Sequence, residues 1–318
     1  MKILITGSAG FIGFNLAKNL IKNKKYSVIG IDNFDKYYDV NLKKKRNQLL
    51  IKNKNFKFYK TNILNEKKLD TIFKKNNFDF VFHLAAQAGV RYSISFPRKY
   101  VDSNYLGFFN IIECARKYKI KRLFYASSSS VYGENTNFPL KETEKINPKN
   151  IYALSKKSNE EISAVYSNYY NIKCTGLRFF TVFGEWGRPD MMMMKFIDCF
   201  YKKKIFKLYN FGNHTRDFTY IDDVTEILKR LLLKNSKLKR NDIFNICSNK
   251  PQKLNKIIEF MWNNNIKPKV KKISLQQADI IKTHGDNRKV IKITNYKSFK
   301  TFKFGLDKTI NWYKKYMI

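Results

Sequence analysis

Lys2–Gly13 reads KILITGSAGFIG. A short apolar run of strand length meets three glycines, Gly7, Gly10 and Gly13, and the amphipathic pattern beyond them predicts a helix to about Asn23. Glycine lets a backbone turn sharply and approach a pyrophosphate closely. The N-terminus of the following helix then offers that pyrophosphate free N–H groups and a partial positive charge. Glycines alone also suit a plain tight turn. Here, however, a second strand, Tyr26–Asp32 (YSVIGID), ends on an acid 19 residues past Gly13. A carboxylate at that place accepts hydrogen bonds from the adenosine ribose hydroxyls and repels a 2′-phosphate, which favours NAD over NADP. Because glycines interrupt the apolar start and a charged helix follows, it is read as a strand and not as a leader peptide.

The pattern continues outward from that unit. Phe56–Thr61, Phe78–Leu84 (FDFVFHL), Arg122–Ser127 (RLFYAS) and Lys173–Phe179 read as strands, and helical stretches such as Ser103–Lys119 and Tyr152–Tyr170 lie between them. Strands alternating with helices imply right-handed crossovers and an α/β fold, a Rossmann-type doubly wound parallel sheet. After Phe180 the pattern is less regular, and Asp242–Cys247 (DIFNIC) reads as a late strand returning to the sheet. The expected division is an NAD-binding domain over 1–180 and a smaller, interleaved C-terminal substrate lobe over 181–318. A chain of 318 residues can bury a core of that size.

Composition narrows the function. The net charge of +38 raises nucleic-acid binding as a possibility, but only 11 of the 63 basic residues are arginine. Nucleic-acid surfaces draw on arginine because its guanidinium forks onto phosphates and bases. Lysines spread along the whole chain describe a solvated surface with a weak attraction to polyanions, not a specific nucleic-acid partner. No apolar run is long enough to predict a membrane span. Cys114, Cys174, Cys199 and Cys247 are widely spaced without a CxxC pair, so neither a metal site nor a disulfide frame is expected, and a reducing cytoplasm is.

Tyr152 and Lys156 form YALSK, and a spacing of four puts both side chains on one helix face. A nearby ammonium helps a tyrosine, whose ordinary pKa is ~10, to act as a base. The spacing is common in a chain so rich in both residues, and a surface helix is the plain alternative. Its position downstream of the serine cluster Ala126–Gly133 (ASSSSVYG) is what lifts it. A hydroxyl beyond that strand end can bond a reacting oxygen and share its proton with Tyr152.

The spacing GxxGxxG resembles the extended short-chain dehydrogenase/reductase superfamily. That resemblance points to Ser128 as the hydroxyl, with Ser129 and Ser130 facing the sugar. It likens HLAAQ (His83–Gln87) to the strand end beside the nicotinamide ribose, and Asn104 to a residue supporting the active site. Asn62 stands where relatives usually carry an Asp facing adenine. The cofactor-binding set is then Gly7, Gly10, Phe11, Ile12, Gly13, Asp32, Asn33, Asn62, Ile63, Leu84, Ala85, Ala86 and Asn104, with Tyr152 and Lys156. The resemblance also implies a homodimer formed through the helices Ser103–Lys119 and Tyr152–Tyr170.

Longer stretches resemble UDP-glucuronate 4-epimerases: DNFDKYYDVNLKKKR (Asp32–Arg46), HLAAQAGVRYS (His83–Ser93), GLRFFTVFGEWG (Gly176–Gly187) with Arg188-Pro189-Asp190, and LYNFGNHTRDFTYIDD (Leu208–Asp223). Relatives carry proline at Glu185 and tyrosine at Phe183, and QQADI (Gln276–Ile280) matches loosely. The implied activity interconverts UDP-glucuronate and UDP-galacturonate through a 4-keto sugar. Arg188 is the candidate grip on the sugar carboxylate, because arginine meets a carboxylate with two parallel bonds. Arg216 resembles a residue that pairs with the UDP diphosphate, Thr181 replaces the asparagine of UDP-glucose 4-epimerases, and Arg91 and Tyr209 complete the substrate-binding candidates. UDP-sugar decarboxylases carry a glutamate at Ser130, and 4,6-dehydratases an Asp-Glu pair at Ser129 and Ser130, so those activities lack their groups here. The alternatives are a UDP-glucose or UDP-N-acetylglucosamine 4-epimerase, after it a UDP-sugar decarboxylase and, from another class, a non-enzymatic NAD- or RNA-binding protein.

Overall fold

Residues 3, 4 and 5 of the first strand are all fully buried, without the alternation of a strand that faces water on one side. Such a strand belongs inside a parallel sheet covered on both faces. The computed structural model, which describes residues 1–276 and 279–318, has that sheet. Gln277 and Ala278, in the loosely matching QQADI stretch, lie outside the described residues. In chain order the strands are β1 (Lys2–Thr6), β2 (Ser27–Asp32), β3 (Phe56–Lys60), β4 (Phe80–His83), β5 (Arg122–Ser128), β6 (Cys174–Phe179), β7 (Thr181–Phe183), β8 (Phe206–Tyr209), β9 (Thr215–Tyr220), β10 (Asn241–Ile246), β11 (Pro251–Lys253) and β12 (Val270–Ile273).

Seven of them form the central sheet in the order β10-β6-β5-β4-β1-β2-β3, and every neighbouring pair is parallel. This is the doubly wound Rossmann-type sheet expected from the strand–helix alternation. The observed strands differ from the expected ones by a residue or two at their ends, the ordinary uncertainty of element boundaries. Alternate residues of β1 serve opposite layers: Ile3 and Ile5 join one core cluster, and Leu4 joins the other.

The chain moves outward from β1 to β2 and β3, then crosses to β4 and continues the other way. The reversal between β1 and β4 opens a crevice at the carboxyl ends of these strands, where open α/β sheets hold ligands.

The second half contributes to this sheet as well as to a lobe of its own. β10 pairs with β6, and the helix Ile221–Leu233 packs beside Phe11–Leu20, where Asn19 donates to the Thr225 hydroxyl at 3.1 Å. Arg122, fully buried, ties the start of β5 to the turn before β10 by donating to the carbonyls of Lys239 at 2.9 Å and Leu238 at 3.3 Å. The lobe itself holds a three-stranded sheet, β11-β9-β7, and a parallel pair, β12 with β8. Among the described residues no helix is long and apolar enough to cross a membrane. The four cysteines are unpaired.

Candidate active site

A cleft of about 790 Å³ starts at the crevice between β1 and β4 and runs to β8 and β9 of the lobe. Gly7 adopts φ +70°, and a Cβ on it would lie 2.7 Å from the backbone nitrogen of Ala85. Only glycine lets the turn lie this flat against the end of β4. The next helix, Phe11–Leu20, starts at Gly10 with no side chain capping its free N–H groups. Asp32 ends β2 beside this turn, and its carboxylate accepts from the backbone N–H of Phe34 at 2.8 Å and of Ala9 at 3.1 Å. Burial pushes the Asp32 carboxyl up, against the pull of Phe34 N–H and the Lys43 charge. An uncapped helix end, a flat glycine turn and a half-buried carboxylate on the neighbouring strand fit a dinucleotide.

The catalytic candidates meet in the middle of the cleft. Ser128 closes β5 in extended conformation, and its hydroxyl accepts from Ser130 N–H at 3.1 Å, which caps the short turn Ser129–Tyr132. Tyr152 and Lys156 reach the cleft from the helix Ile151–Tyr170. Burial raises the Tyr152 phenol above its ordinary value, and the Ser128 hydroxyl and the Arg188 charge beside it pull it back. Among the charges of the described residues, that of Arg188 pulls the Tyr152 phenol down. Lys156 is 2% exposed, and burial without a carboxylate partner pushes its ammonium down to about 8.

The same helix face braces the serine loop from below. Glu160, one turn past Lys156, accepts from the Ser127 hydroxyl at 2.5 Å and pairs with Arg178 of β6 at 2.7 Å. Asn104 is expected among the cofactor contacts but does not line the cleft. It sits in a π-helical turn, Val101–Leu106, that carries its side chain inward behind the wall. There it accepts from Gln87 N–H at 2.8 Å and donates to Gln87 O and Ser155 Oγ, both at 3.0 Å. With these partners it supports the strand end after β4 instead of facing a ligand.

Towards the lobe, Thr181 and Arg188 line the cleft with Ser129 and Ser130. Arg188 Nε donates to Asp190 Oδ1 at 3.0 Å, and its Nη2 pairs with the other oxygen. Burial works against its charge, but Asp190 outweighs it and raises the guanidinium further above its usual value. At the far end Arg91 forks onto Asp279 and lies 3.8 Å over the ring of Tyr209. Among the described residues Arg216 donates only to carbonyls, those of Thr215 at 3.0 Å and Ile281 at 2.9 Å, and desolvation pushes it down to about 10. A partly desolvated cation whose hydrogen bonds go to neutral carbonyls suits an incoming anion.

Apart from Asn104, the cleft gathers every residue expected at the site, Asn33, Asn62, Ile63, Leu84 and Ala86 included. It also gathers residues the sequence reading did not single out. Lys43 donates to the Asp35 carbonyl at 2.6 Å near Asp32, and Tyr37, Asp190 and Asp279 hold the arginines. The motifs DNFDKYYDVNLKKKR and RPD contained three of them, but nothing in their spacing indicated the contacts. Glu185, at the position of a proline in relatives, accepts from the Tyr220 hydroxyl at 2.6 Å. Among the described residues no group of three His, Cys, Asp or Glu could hold a metal ion.

Residues 3–247 match the NAD dependent epimerase/dehydratase family. The chain is 42% identical to the protein CapI of Staphylococcus aureus over 333 aligned positions, covering 99% of both chains. It is 39% identical to the UDP-glucuronate 4-epimerase of Thermodesulfobacterium geofontis, over 98% of this chain and 96% of that one. Among solved structures, the UDP-glucuronic acid 4-epimerase of Bacillus cereus in complex with UDP-glucuronic acid and NAD superposes with a TM-score of 0.92 at 31% identity, covering 99% of both chains.

Proposed function

The chain belongs to the NAD dependent epimerase/dehydratase family, and from that premise we infer that it is a UDP-glucuronate 4-epimerase, interconverting UDP-glucuronate and UDP-galacturonate with NAD as its cofactor. The observation that carries this reading is the meeting of Tyr152, Ser128 and Arg188 in one cleft with hydroxyls, not acids, at 129 and 130.

NAD would lie along the glycine turn, with Asp32 at the adenosine ribose and Lys156 at the nicotinamide ribose. When bound, it supplies the hydride acceptor for C4 of the sugar and returns the hydride to the opposite face. Tyr152 takes the proton of the C4 hydroxyl and later gives it back, and Ser128 holds the same oxygen and shares that proton. Arg188 and the hydroxyls of Ser129, Ser130 and Thr181 hold the carboxylate on C5. That grip matters because a 4-keto uronate is a β-keto acid, which loses CO₂ readily when the bond from C5 to its carboxyl carbon stands perpendicular to the plane of the ring carbonyl. Arg216 and Arg91, with Tyr209, take the UDP portion, and residues 181–318 supply most of that lobe.

One observation favours a second reading, a UDP-glucose 4-epimerase: Asp190 already neutralises Arg188, which makes a neutral sugar tolerable there. Incubating the protein with UDP-glucuronate, UDP-glucose and UDP-N-acetylglucosamine and following products by NMR separates the two. UDP-galacturonate without a pentose product supports the first reading, and turnover of neutral sugars alone overturns it.

The proposed assembly is a homodimer through Gly107–Lys117 and Ile151–Tyr170, which leave apolar side chains exposed. The proposed location is the cytoplasm, where unpaired thiols stay reduced.

A further inference from the structure

Arginine presents its donors as a planar fork with more than one usable edge. At Arg188 one edge, Nε with Nη2, is taken by the two oxygens of Asp190. Asp190 Oδ2 also accepts from the Tyr37 hydroxyl at 3.0 Å, across 153 residues of sequence. The Tyr37 ring centroid lies 5.6 Å from the Arg188 guanidinium carbon. Tyr37 is itself fixed. Its ring packs against Tyr92 with centroids 4.7 Å apart. Its hydroxyl occupies space that a side chain at position 89 would need: Gly89 has φ +104°, and a Cβ there would lie 2.3 Å from the Tyr37 oxygen. These contacts hold a long, flexible side chain in one rotamer. The remaining edge, Nη1 with the second N–H of Nη2, makes no protein hydrogen bond among the described residues, and Arg188 lines the cleft.

We propose that Asp190, anchored by Tyr37, is the positioning residue that aims the open edge of Arg188 at the sugar carboxylate, and so sets the preference for a uronate over a neutral hexose. This rests on the reading of the cleft as a UDP-glucuronate 4-epimerase site. Because Asp190 neutralises Arg188, the preference comes from the direction of the fork more than from net charge. A guanidinium without that guide still attracts the carboxylate but no longer holds its plane. The sugar ring can then pucker until the bond from C5 to the carboxyl carbon lines up with the C4 carbonyl π system. That bond breaks, its electron pair passes into the C4–C5 enolate, CO₂ leaves, a proton from water closes C5, and return of the hydride first taken from C4, with the proton held by Tyr152, reduces the remaining 4-keto group to the pentose. Asp190 therefore governs the partition between epimer and pentose as well as binding.

The test uses NAD-loaded protein and two probes, UDP-glucuronate and UDP-glucose. Their affinities are measured by calorimetry for the wild type and for D190N, D190E and Y37F, and products are followed by NMR. D190N is expected to lower the glucuronate-to-glucose affinity ratio by about tenfold, and Y37F by about threefold, since loss of aim in a charge-assisted pair removes most of its selectivity. D190E is expected to recover part of the ratio, and the pentose fraction of the product is expected to rise in D190N. UDP-glucose binding reports that each variant is folded, and Y37F retains the Arg188–Asp190 fork if D190N fails to fold. A wild-type preference that persists undiminished in Y37F and in whichever Asp190 variants fold overturns the proposal alone. A wild-type protein with no preference for UDP-glucuronate overturns the functional reading, and this inference with it.

Discussion

Arg46 donates to the carbonyl of Trp186 at 2.5 Å, from a helix on the cofactor side of the cleft to the loop that carries Arg188. The same fully buried guanidinium donates to the carbonyls of Gly187 at 3.1 Å and Ala9 at 2.9 Å and to the Tyr38 hydroxyl at 2.7 Å. One side chain thus ties the glycine turn to the substrate loop. Arg46→Met leaves three buried carbonyls short of a donor, which is expected to cost about 3 kcal/mol or more. Affinity for NAD and for the UDP-sugar should fall together. Urea denaturation and two calorimetric titrations check this; a loss below about 1 kcal/mol, or weakening of one ligand alone, contradicts it.

Much of this arrangement was legible in the sequence, for physical reasons that differ by region. Strands such as FVFH of β4 are buried on both faces, so their apolar runs stand out, and the glycine turn is a local signal with a local cause. The lobe strands are short and mixed: β11 is PQK, which carries no apolar periodicity at all, and β7 is only TVF. Spacing on one helix revealed Tyr152 and Lys156. It could not reveal that Tyr37 meets Asp190 from 153 residues away, or that a π-helical turn would carry Asn104 behind the wall of the cleft, because only tertiary packing creates those relations.

Tyr152→Phe removes the proposed base and leaves the ring. Turnover of UDP-glucuronate is expected to fall about 10²- to 10⁴-fold, the usual worth of general acid–base catalysis, while NAD remains bound. Product formation by NMR and cofactor content by absorbance measure the two halves. Turnover within about tenfold of the wild type would exclude Tyr152 from that role.

Lys156 sets function against stability. Burial lowers its ammonium from the ordinary value to about 8, so the folded state penalises the charged form. The penalty is fully present below pH 8, and it fades as pH rises towards the unfolded value near 10.5, because there the unfolded chain holds a proton that the folded chain has released. Lys156→Met is therefore expected to stabilise the cofactor-free protein by about 3 kcal/mol at neutral pH and to abolish turnover. The gain should shrink between pH 8 and pH 10 in denaturation curves; a gain that grows with pH has the wrong sign for this account.

The proposed dimer has a visible apolar face. Phe109 is 47% exposed, Val165 51% and Tyr169 82%, and Phe109 packs against Tyr166 of the adjoining helix with ring centroids 6.1 Å apart. Two glutamates at Phe109 and Val165 would place like charges in that face twice over, once from each copy. Sedimentation should show a dimer for the wild type and a monomer for F109E/V165E. A wild-type monomer at tens of micromolar removes the dimer from the proposal.

Arg188 offers the sharpest chemical prediction, because losing it should change the product and not only the rate. In the 4-keto sugar, the carboxylate on C5 departs when its bond aligns with the carbonyl π system. Arg188 can oppose that alignment by holding the carboxylate on two parallel hydrogen bonds, helped by the hydroxyls at 129, 130 and 181. Arg188→Met keeps an unbranched apolar stem but removes every donor. It also leaves Asp190 with the Tyr37 hydroxyl alone among the described residues, without the charge that holds its carboxyl below the usual range. Two consequences follow. Affinity for UDP-glucuronate should fall by about 10²-fold, the scale of one buried charge-assisted pair, and a UDP-pentose with CO₂ should appear among the products. The Tyr152 phenol should also rise further, since the charge that pulls it down is gone, so the acid limb of the rate profile moves to higher pH. NMR of the sugar products against pH measures both effects. If R188M makes UDP-galacturonate slowly but cleanly, with no pentose at any pH, the carboxylate is held by the serines, and Arg188 serves affinity alone.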